Sequence, residues 1–295
     1  MEGRLPPGRW HLDETGKGYI RCLRIDELLY AGKTTYQRIK IFRNESFGKV
    51  LVLDDDIQLS EVDEWVYHEA LVHPALFTHP EPSRVAVIGG GDGGALREVL
   101  KHRCVKEAYL VDMDREVVEL CRRHLPEVHE GSLEDSRVKI VYMEGAEFLK
   151  GPPEKFEALI LDITEPTSNV AKALYSAPFY ELVKRALDED GIVALQVESI
   201  AFFQAEDFSL PAISSILSSV FPIVRPYVVG IPSFGSLWGF AIASKRHDPM
   251  GIPEATMAKR VAERRVTTRY YTPRLHKALF ALPKFLADAL EKEAE

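Results

Sequence analysis

One stretch restricts the fold of this chain more than any other. An apolar run, Val85–Ile88, enters Gly89-Gly90-Gly91-Asp92-Gly93-Gly94 and continues into Ala95, Leu96, Val99 and Leu100. Five glycines in six positions let a ligand approach backbone that side chains would otherwise block. The flanking patterns place this loop between a strand and a helix, where a glycine-rich segment means most. Further apolar runs follow at Ala108–Val111, Val138–Tyr142, Ala158–Leu161 and Ile192–Val197, with helical patterns such as Val117, Val118, Leu120 and Cys121 between them. Strands alternating with amphipathic helices predict βαβ units and a mainly parallel sheet of the α/β class.

The chain before this region reads differently. Short β-like runs at Tyr19–Leu23, Tyr36–Phe42 and Lys49–Leu53 are bounded by Gly, Asn or Asp. Polar and apolar residues nearly alternate through Gln37–Phe42, which predicts a small antiparallel β domain with one face in water. Ser60-Glu61-Val62-Asp63 reads as a capping box opening a helix, with Val62, Trp65, Val66 and Ala70 as its apolar stripe. His79-Pro80-Glu81-Pro82 reads as a linker, and Pro273–Glu295 as terminal helices. The expected division is an N-terminal β domain over residues 1–75 and a Rossmann-like catalytic domain with C-terminal helices over 76–295.

Composition narrows the partners. Among 295 residues, 37 are Lys or Arg and 45 are Asp or Glu, a net charge of −8. Such a surface is poorly suited to nucleic acid and better suited to a cationic ligand. Cys22, Cys104 and Cys121 have no CxxC spacing, which argues against a disulfide framework or a structural zinc site. No stretch approaches the ~20 apolar residues of a membrane helix. A cytoplasmic protein is expected. His73 and His79 read as bland, and no metal is expected.

Carboxylates recur at the predicted carboxyl ends of the strands, where parallel α/β sheets bind ligands. Asp112 lies about 20 residues past the glycine loop, the usual place for a carboxylate on a ribose diol. Glu144-Gly145 and Asp162 end the next two strands. Each acid could instead cap a helix or complement its dipole. Asp92 is sharper, because an anion inside the loop would repel a pyrophosphate. A nucleoside bearing a cation fits better.

These residues together are similar to a known family. Ile88-Gly-Gly-Gly-Asp-Gly-Gly94, with Tyr67-His68-Glu69 before it and Asp162-Ile163-Thr164-Glu165-Pro166 after it, resembles the polyamine aminopropyltransferases, the spermidine synthase family. Thr35-Tyr36-Gln37, Phe47–Asp54 and Val111-Asp112-Met113-Asp114 extend the likeness to roughly residues 30–245. The resemblance implies a methyltransferase-like Rossmann domain behind the small β domain, and oligomers, dimers or tetramers, formed through the latter. It implies decarboxylated S-adenosylmethionine as co-substrate, no permanently bound cofactor, and a polyamine acceptor. Asp162 would be the catalytic base. Gln37, Asp112, Met113, Gly89 and Gly91 would hold the nucleoside and sulfur end, Glu144 and Gly145 the adenine, and Asp92 the donor's ammonium. Tyr67 and His68 would line the junction of donor tail and acceptor.

Departures from the family pattern bear on the acceptor. Glu165 stands in place of a second aspartate and Asn169 where a proline is common. Phe234, in Gly230–Gly239, stands near where putrescine-using members carry a tyrosine, and the Pro-Ser-Phe…Trp-Gly pattern looks more like thermospermine synthases and agmatine-using relatives; spermidine or a similar long acceptor is favoured, with putrescine or agmatine as the alternatives. Glu198, Glu206, Asp207 and Trp238 are candidates to line its channel, although Trp238 could equally be a core residue on a strand. Glu165, Phe234 and Trp238 complete the expected acceptor contacts. A methyltransferase and a non-catalytic polyamine or nucleoside binder are the competing readings. Asp92 and the Asp162–Pro166 loop argue against the first, and an intact Asp162 argues against the second.

Overall fold

A computed structural model describes residues 7–16, 19–164, 173–200 and 209–293. Strands β1 (Arg9–Gly16) and β2 (Tyr19–Ile25) form an antiparallel pair. Strands β3 (Glu27–Lys33), β4 (Arg38–Asn44), β5 (Gly48–Leu53) and β6 (Asp56–Ser60) form an antiparallel sheet in sequential order. The turn between β5 and β6 is Asp54-Asp55, both at positive φ (49° and 80°), as a twisted two-residue hairpin requires.

The expectation of one wet face fails for β4–β6. Ile39, Ile41, Leu51, Leu53 and Leu59 pack on Val117 and Cys121 of helix α3 (Arg115–His124). From the opposite face Phe42, Val50, Val52 and Ile57 join the main core. Residues of alternating direction are therefore both apolar in β5, and only β3 keeps a largely exposed pattern.

Helix α1 (Glu64–Thr78) begins later than the capping box predicts. Ser60 is the last residue of β6, and its hydroxyl donates to the Phe47 carbonyl. Asp63 occupies the N-cap but makes no side-chain cap; its Oδ2 accepts from the Ser233 N–H at 2.7 Å. The expected domain boundary at residue 75 falls inside this helix. Val62, assigned to its apolar stripe, is exposed, whereas the helix itself is buried along most of its length.

Strands β7 (Arg84–Gly89), β8 (Glu107–Asp112), β9 (Val138–Tyr142), β10 (Phe156–Asp162), β11 (Leu187–Ser199), β12 (Ile223–Ile231) and β13 (Ser236–Ser244) form one sheet. Its order is β12-β13-β11-β10-β7-β8-β9, with β7 to β11 parallel and β13 antiparallel to both of its neighbours. Both faces are covered. Val85, Val87, Leu110 and Ile160 pack towards α1 and α2 (Gly94–Lys101). Ala86, Ile88, Leu159 and Leu161 pack towards α5 (Gly145–Lys150), α6 (Ala177–Ala186) and α7 (Leu210–Val220), after the short α4 (Pro126–His129). Double burial explains why these strands read as unbroken apolar runs. Three helices, α8 (Glu254–Arg264), α9 (Pro273–Leu279) and α10 (Lys284–Glu293), end the described chain. No described helix is long and apolar enough to cross a membrane, and the three cysteines are free.

The strand order reverses between β7 and β10, which opens a crevice at their carboxyl ends. Glycine makes the crevice possible. Gly89 has φ +80°, and a Cβ there would lie 2.1 Å from the Asp162 carbonyl oxygen. Gly90, at φ +68°, donates its N–H to that same oxygen at 3.0 Å.

Candidate active site

A cleft of about 430 Å³ occupies this crevice. Gln37, Tyr67, His68, Gly89, Gly91, Asp92, Asp112, Met113, Glu144, Gly145, Asp162, Phe234 and Trp238 all line it. The sequence-derived candidates thus converge from β3–β4, α1, four strand ends and the β12–β13 turn. Glu165, Asn169, Glu206 and Asp207 lie outside the described residues. Glu198 is placed only by its backbone, which pairs with Gly239 in β11–β13.

Asp162 sits at the end of β10. Tyr67 donates its hydroxyl to Oδ1 at 2.6 Å. Oδ2 is shielded from solvent and has no hydrogen-bond partner among the described residues. Burial, reinforced by Asp92, pushes this carboxyl up to about 6 against the opposing pull of His68 and the Tyr67 hydroxyl. A free, raised carboxylate oxygen in a cleft is what a general base requires.

Asp92 has two occupations. Its Oδ1 accepts the N–H of Gly94, the first residue of α2, at 2.7 Å, while Gly93 holds the N-cap position. That oxygen also lies 3.4 Å from His68 Nε2. Ligand atoms of His68, Asp92 and Asp162 all fall within 4.8 Å of one another. The two aspartates therefore face one small volume, a focus for positive charge. His68 is buried, with Nδ1 2.6 Å from Glu64 Oε2. Burial opposes its protonation, yet Asp92, Glu64 and Asp162 hold it up at about 9.

Another side of the cleft is built from the ends of β8 and β9. Asp112 accepts the Asp114 N–H at 2.8 Å, and burial raises its carboxyl to about 6. Gly91 lies against it: a Cβ there would come within 2.7 Å of Asp112 Oδ2. Gln37 does not reach into the cleft unassisted, because its Nε2 donates to Asp114 Oδ2 at 3.1 Å. Thr34 donates to the same oxygen at 2.6 Å. Met113 is partly exposed at the rim. Glu144 is the N-cap residue of α5, and Gly145 packs on Ile88, where a Cβ would approach to 2.4 Å.

The other wall is aromatic. Phe234, on a single turn after β12, meets Trp238 at 4.5 Å and Tyr67 edge-on at 5.9 Å between ring centroids. Trp238 is indeed a buried strand residue, and it also lines the cleft. Its Nε1–H donates to Gln196 Oε1 at 3.0 Å, and the Gln196 amide donates to Tyr175 Oη at 3.0 Å and to the Ile163 carbonyl. Gln196, Thr34, Glu64 and Arg97 escape sequence reading, and Asp114 enters it only as part of the motif Val111–Asp114. Only Glu64 carried a usable signal, four residues before His68 on one helix face.

A second grouping, His79, Asp190 and His247, also has metal-compatible spacing. It sits at the opposite end of the sheet. His79 Nδ1 accepts the Glu81 N–H at 3.2 Å, so its Nε2 carries the proton and faces Asp190 at 3.4 Å. That is a hydrogen-bonded clasp rather than a lone pair aimed at an ion.

Family comparison fits this geometry. Residues 64–251 match the spermine/spermidine synthase domain, and residues 9–61 match the spermidine synthase tetramerisation domain. The chain belongs to the spermine/spermidine synthase family. It is an aminopropyltransferase. A polyamine aminopropyltransferase of Caldicellulosiruptor saccharolyticus is 42% identical over 269 residues, covering 91% of this chain and 93% of that protein. One from Pyrobaculum calidifontis is 42% identical over 286 residues, covering 95% and 98%. A crystal structure of spermidine synthase in complex with the transition-state analogue AdoDATO superimposes with a TM-score of 0.89 at 34% identity, over 99% of each chain. Spermidine synthase from Thermotoga maritima gives 0.87 at 34%, over 99% of this chain and 98% of that one. The two family matches adjoin just before α1, and we propose the domain division there instead of at residue 75.

Proposed function

We propose that this aminopropyltransferase moves the aminopropyl group of decarboxylated S-adenosylmethionine to an amine of spermidine or a similarly long polyamine, releasing 5′-methylthioadenosine. The observation that carries this reading is the shielded, unpartnered Asp162 Oδ2 beside the Asp92–His68 focus.

The acceptor arrives protonated, with an amine pKa near ~10 in water. Asp162 Oδ2 takes one proton. The nearby sulfonium disfavours the ammonium, and burial raises the carboxyl, so the two affinities approach each other. The freed nitrogen lone pair attacks the carbon next to sulfur. A C–N bond forms, the C–S bond breaks, and its electron pair returns to sulfur as a neutral thioether. The proton on Asp162 leaves to solvent. Holding nitrogen, carbon and sulfur in line supplies much of the acceleration. In this reading Asp92 pairs with the donor's ammonium, and Gln37 and Asp112 hold the sugar and sulfur end. Met113, Glu144, Gly145, Gly89 and Gly91 frame the nucleoside. Tyr67, His68, Glu165, Phe234 and Trp238 guide the acceptor, Trp238 through its ring face, since its N–H is engaged by Gln196.

Phe234 supports the long acceptor, because it gives an apolar wall without a hydroxyl to hold a short diamine. An acceptor panel with products identified by mass tests this. Spermidine should show a larger kcat/KM than putrescine or agmatine, and Phe234→Tyr should narrow the gap about 2–10-fold, the worth of one hydrogen bond. A preference for putrescine would remove the acceptor argument, and methyl transfer would remove the whole reading.

We also infer a homo-oligomer, dimer or tetramer, assembled through the N-terminal sheets. Leu12, Ile20 and Leu28 on β1–β3 are large apolar residues that are 45–50% exposed, which supports an interface there.

A further inference from the structure

His68 is caught between two anions. Nδ1 lies 2.6 Å from Glu64 Oε2 and Nε2 lies 3.4 Å from Asp92 Oδ1. A neutral imidazole has one N–H and serves one of them, leaving a lone pair against the other. Only the doubly protonated ring matches both. The ring cannot turn aside. It lies on Gly94, where a Cβ would come within 2.2 Å of Cε1, and Tyr67 meets it edge-on at 5.2 Å.

The two protons are not equivalent. Arg97 grips Glu64 with two hydrogen bonds of 2.9 Å, to Oε1 and Oε2, and also donates to Glu98 at 2.7 Å. Burial works against the Glu64 anion, but His68 and Arg97 keep its carboxyl below the usual range. The Nδ1–H therefore faces a permanent anion. Nε2–H faces Asp92, the residue offered to the donor's ammonium.

We propose that His68 exchanges a proton for the donor: when the ammonium of decarboxylated S-adenosylmethionine reaches Asp92, the Nε2 proton leaves to solvent, and Nε2 becomes an acceptor for that ammonium. Only one N–H bond breaks, its electron pair stays on Nε2, and no electron is transferred. The driving force is like-charge repulsion at a buried ring, which lowers its proton affinity by about 1,000-fold or more. The charged or titratable groups facing the ring are Glu64 and Tyr67 from α1, Asp92 from the glycine loop and Asp162 from β10, with Arg97 behind Glu64. The inference rests on the proposed seating of the donor tail at Asp92.

Titration calorimetry at pH 8 tests it, with decarboxylated S-adenosylmethionine alone in phosphate and in Tris, whose ionisation heats differ. The carboxyls near 6 are fully ionised there and release nothing. The wild type should release about 0.9 proton per donor, the protonated fraction of a group near 9. Methylthioadenosine, which lacks the ammonium, should release none. Donor Kd should tighten about 10-fold between pH 7 and 8. His68→Gln should bind methylthioadenosine normally and the donor without release, with a flat pH dependence. Heat independent of buffer in the wild type, or equal release from His68→Gln, overturns the exchange. Asp92→Asn separates the premises. If donor Kd does not weaken relative to methylthioadenosine, the seating at Asp92 is wrong. If it weakens while wild-type binding releases no proton, the seating stands and the exchange falls.

Discussion

Removing the Tyr67 hydroxyl probes how Asp162 is tuned. The 2.6 Å hydrogen bond to Oδ1 stabilises the ionised carboxylate, and nothing else among the described residues donates to its partner oxygen. Hydrogen bonds to charged groups contribute about 1.5–3 kcal/mol. At ~1.36 kcal/mol per pKa unit, Tyr67→Phe should raise the carboxyl by about 1–2 units, from about 6 to ~7–8. A base must be ionised, so the acid limb of kcat/KM for the acceptor moves upward with it. For a limb at ~7.5, the ionised fraction at pH 7 falls from about 0.9 to about 0.25, a loss of about 4-fold, whereas at pH 9 both forms are almost fully ionised and the loss nearly vanishes. The assay is initial-rate kinetics from pH 5 to 9 with donor saturating. A limb that stays put, or moves down, would refute the argument that this hydroxyl sets the proton affinity of the base.

Asp162→Asn should lower kcat by about 10²–10⁴ while leaving methylthioadenosine affinity nearly intact; equal turnover would exclude Asp162 as base. The same variant should be more stable at pH 7 by roughly 1–3 kcal/mol in urea titrations. The sign follows from the raised carboxyl. The native state holds its proton more tightly than the unfolded chain, so stability falls as pH rises from about 4 through about 6, and Asn escapes that loss. Arg97→Met should destabilise by about 3–5 kcal/mol, read as a lower Tm, since Glu64 and Glu98 lose a buried partner; an unchanged Tm would show the cluster is not coupled to folding.

Much of this architecture is visible in the one-dimensional pattern. Parallel strands announce themselves because both of their faces are buried, as Val85–Ile88 and Ala158–Leu161 show. The glycine loop is equally plain, since backbone at Gly89 and Gly90 must adopt positive φ beside Asp162. Acid placement at strand ends reveals Asp92, Asp112 and Asp162 as one set, because successive parallel strands deliver their carboxyl ends to one edge.

Other features depend on partners far along the chain. Ser60-Glu61-Val62-Asp63 has the composition of a helix cap, yet β6 claims Ser60 through Phe47, and Ser233 claims Asp63. The β4–β6 sheet loses its wet face because α3 lies across it, and no local periodicity encodes that contact. Likewise the hydrogen bond from Tyr67 that leaves Asp162 Oδ2 free, the pairing of Gln37 with Asp114, and the clamp from Arg97 through Glu64 to His68 join residues up to 95 positions apart. Local pattern reports which face of a segment avoids water. Protonation and hydrogen-bond direction depend on distances between segments, and folding alone fixes those distances.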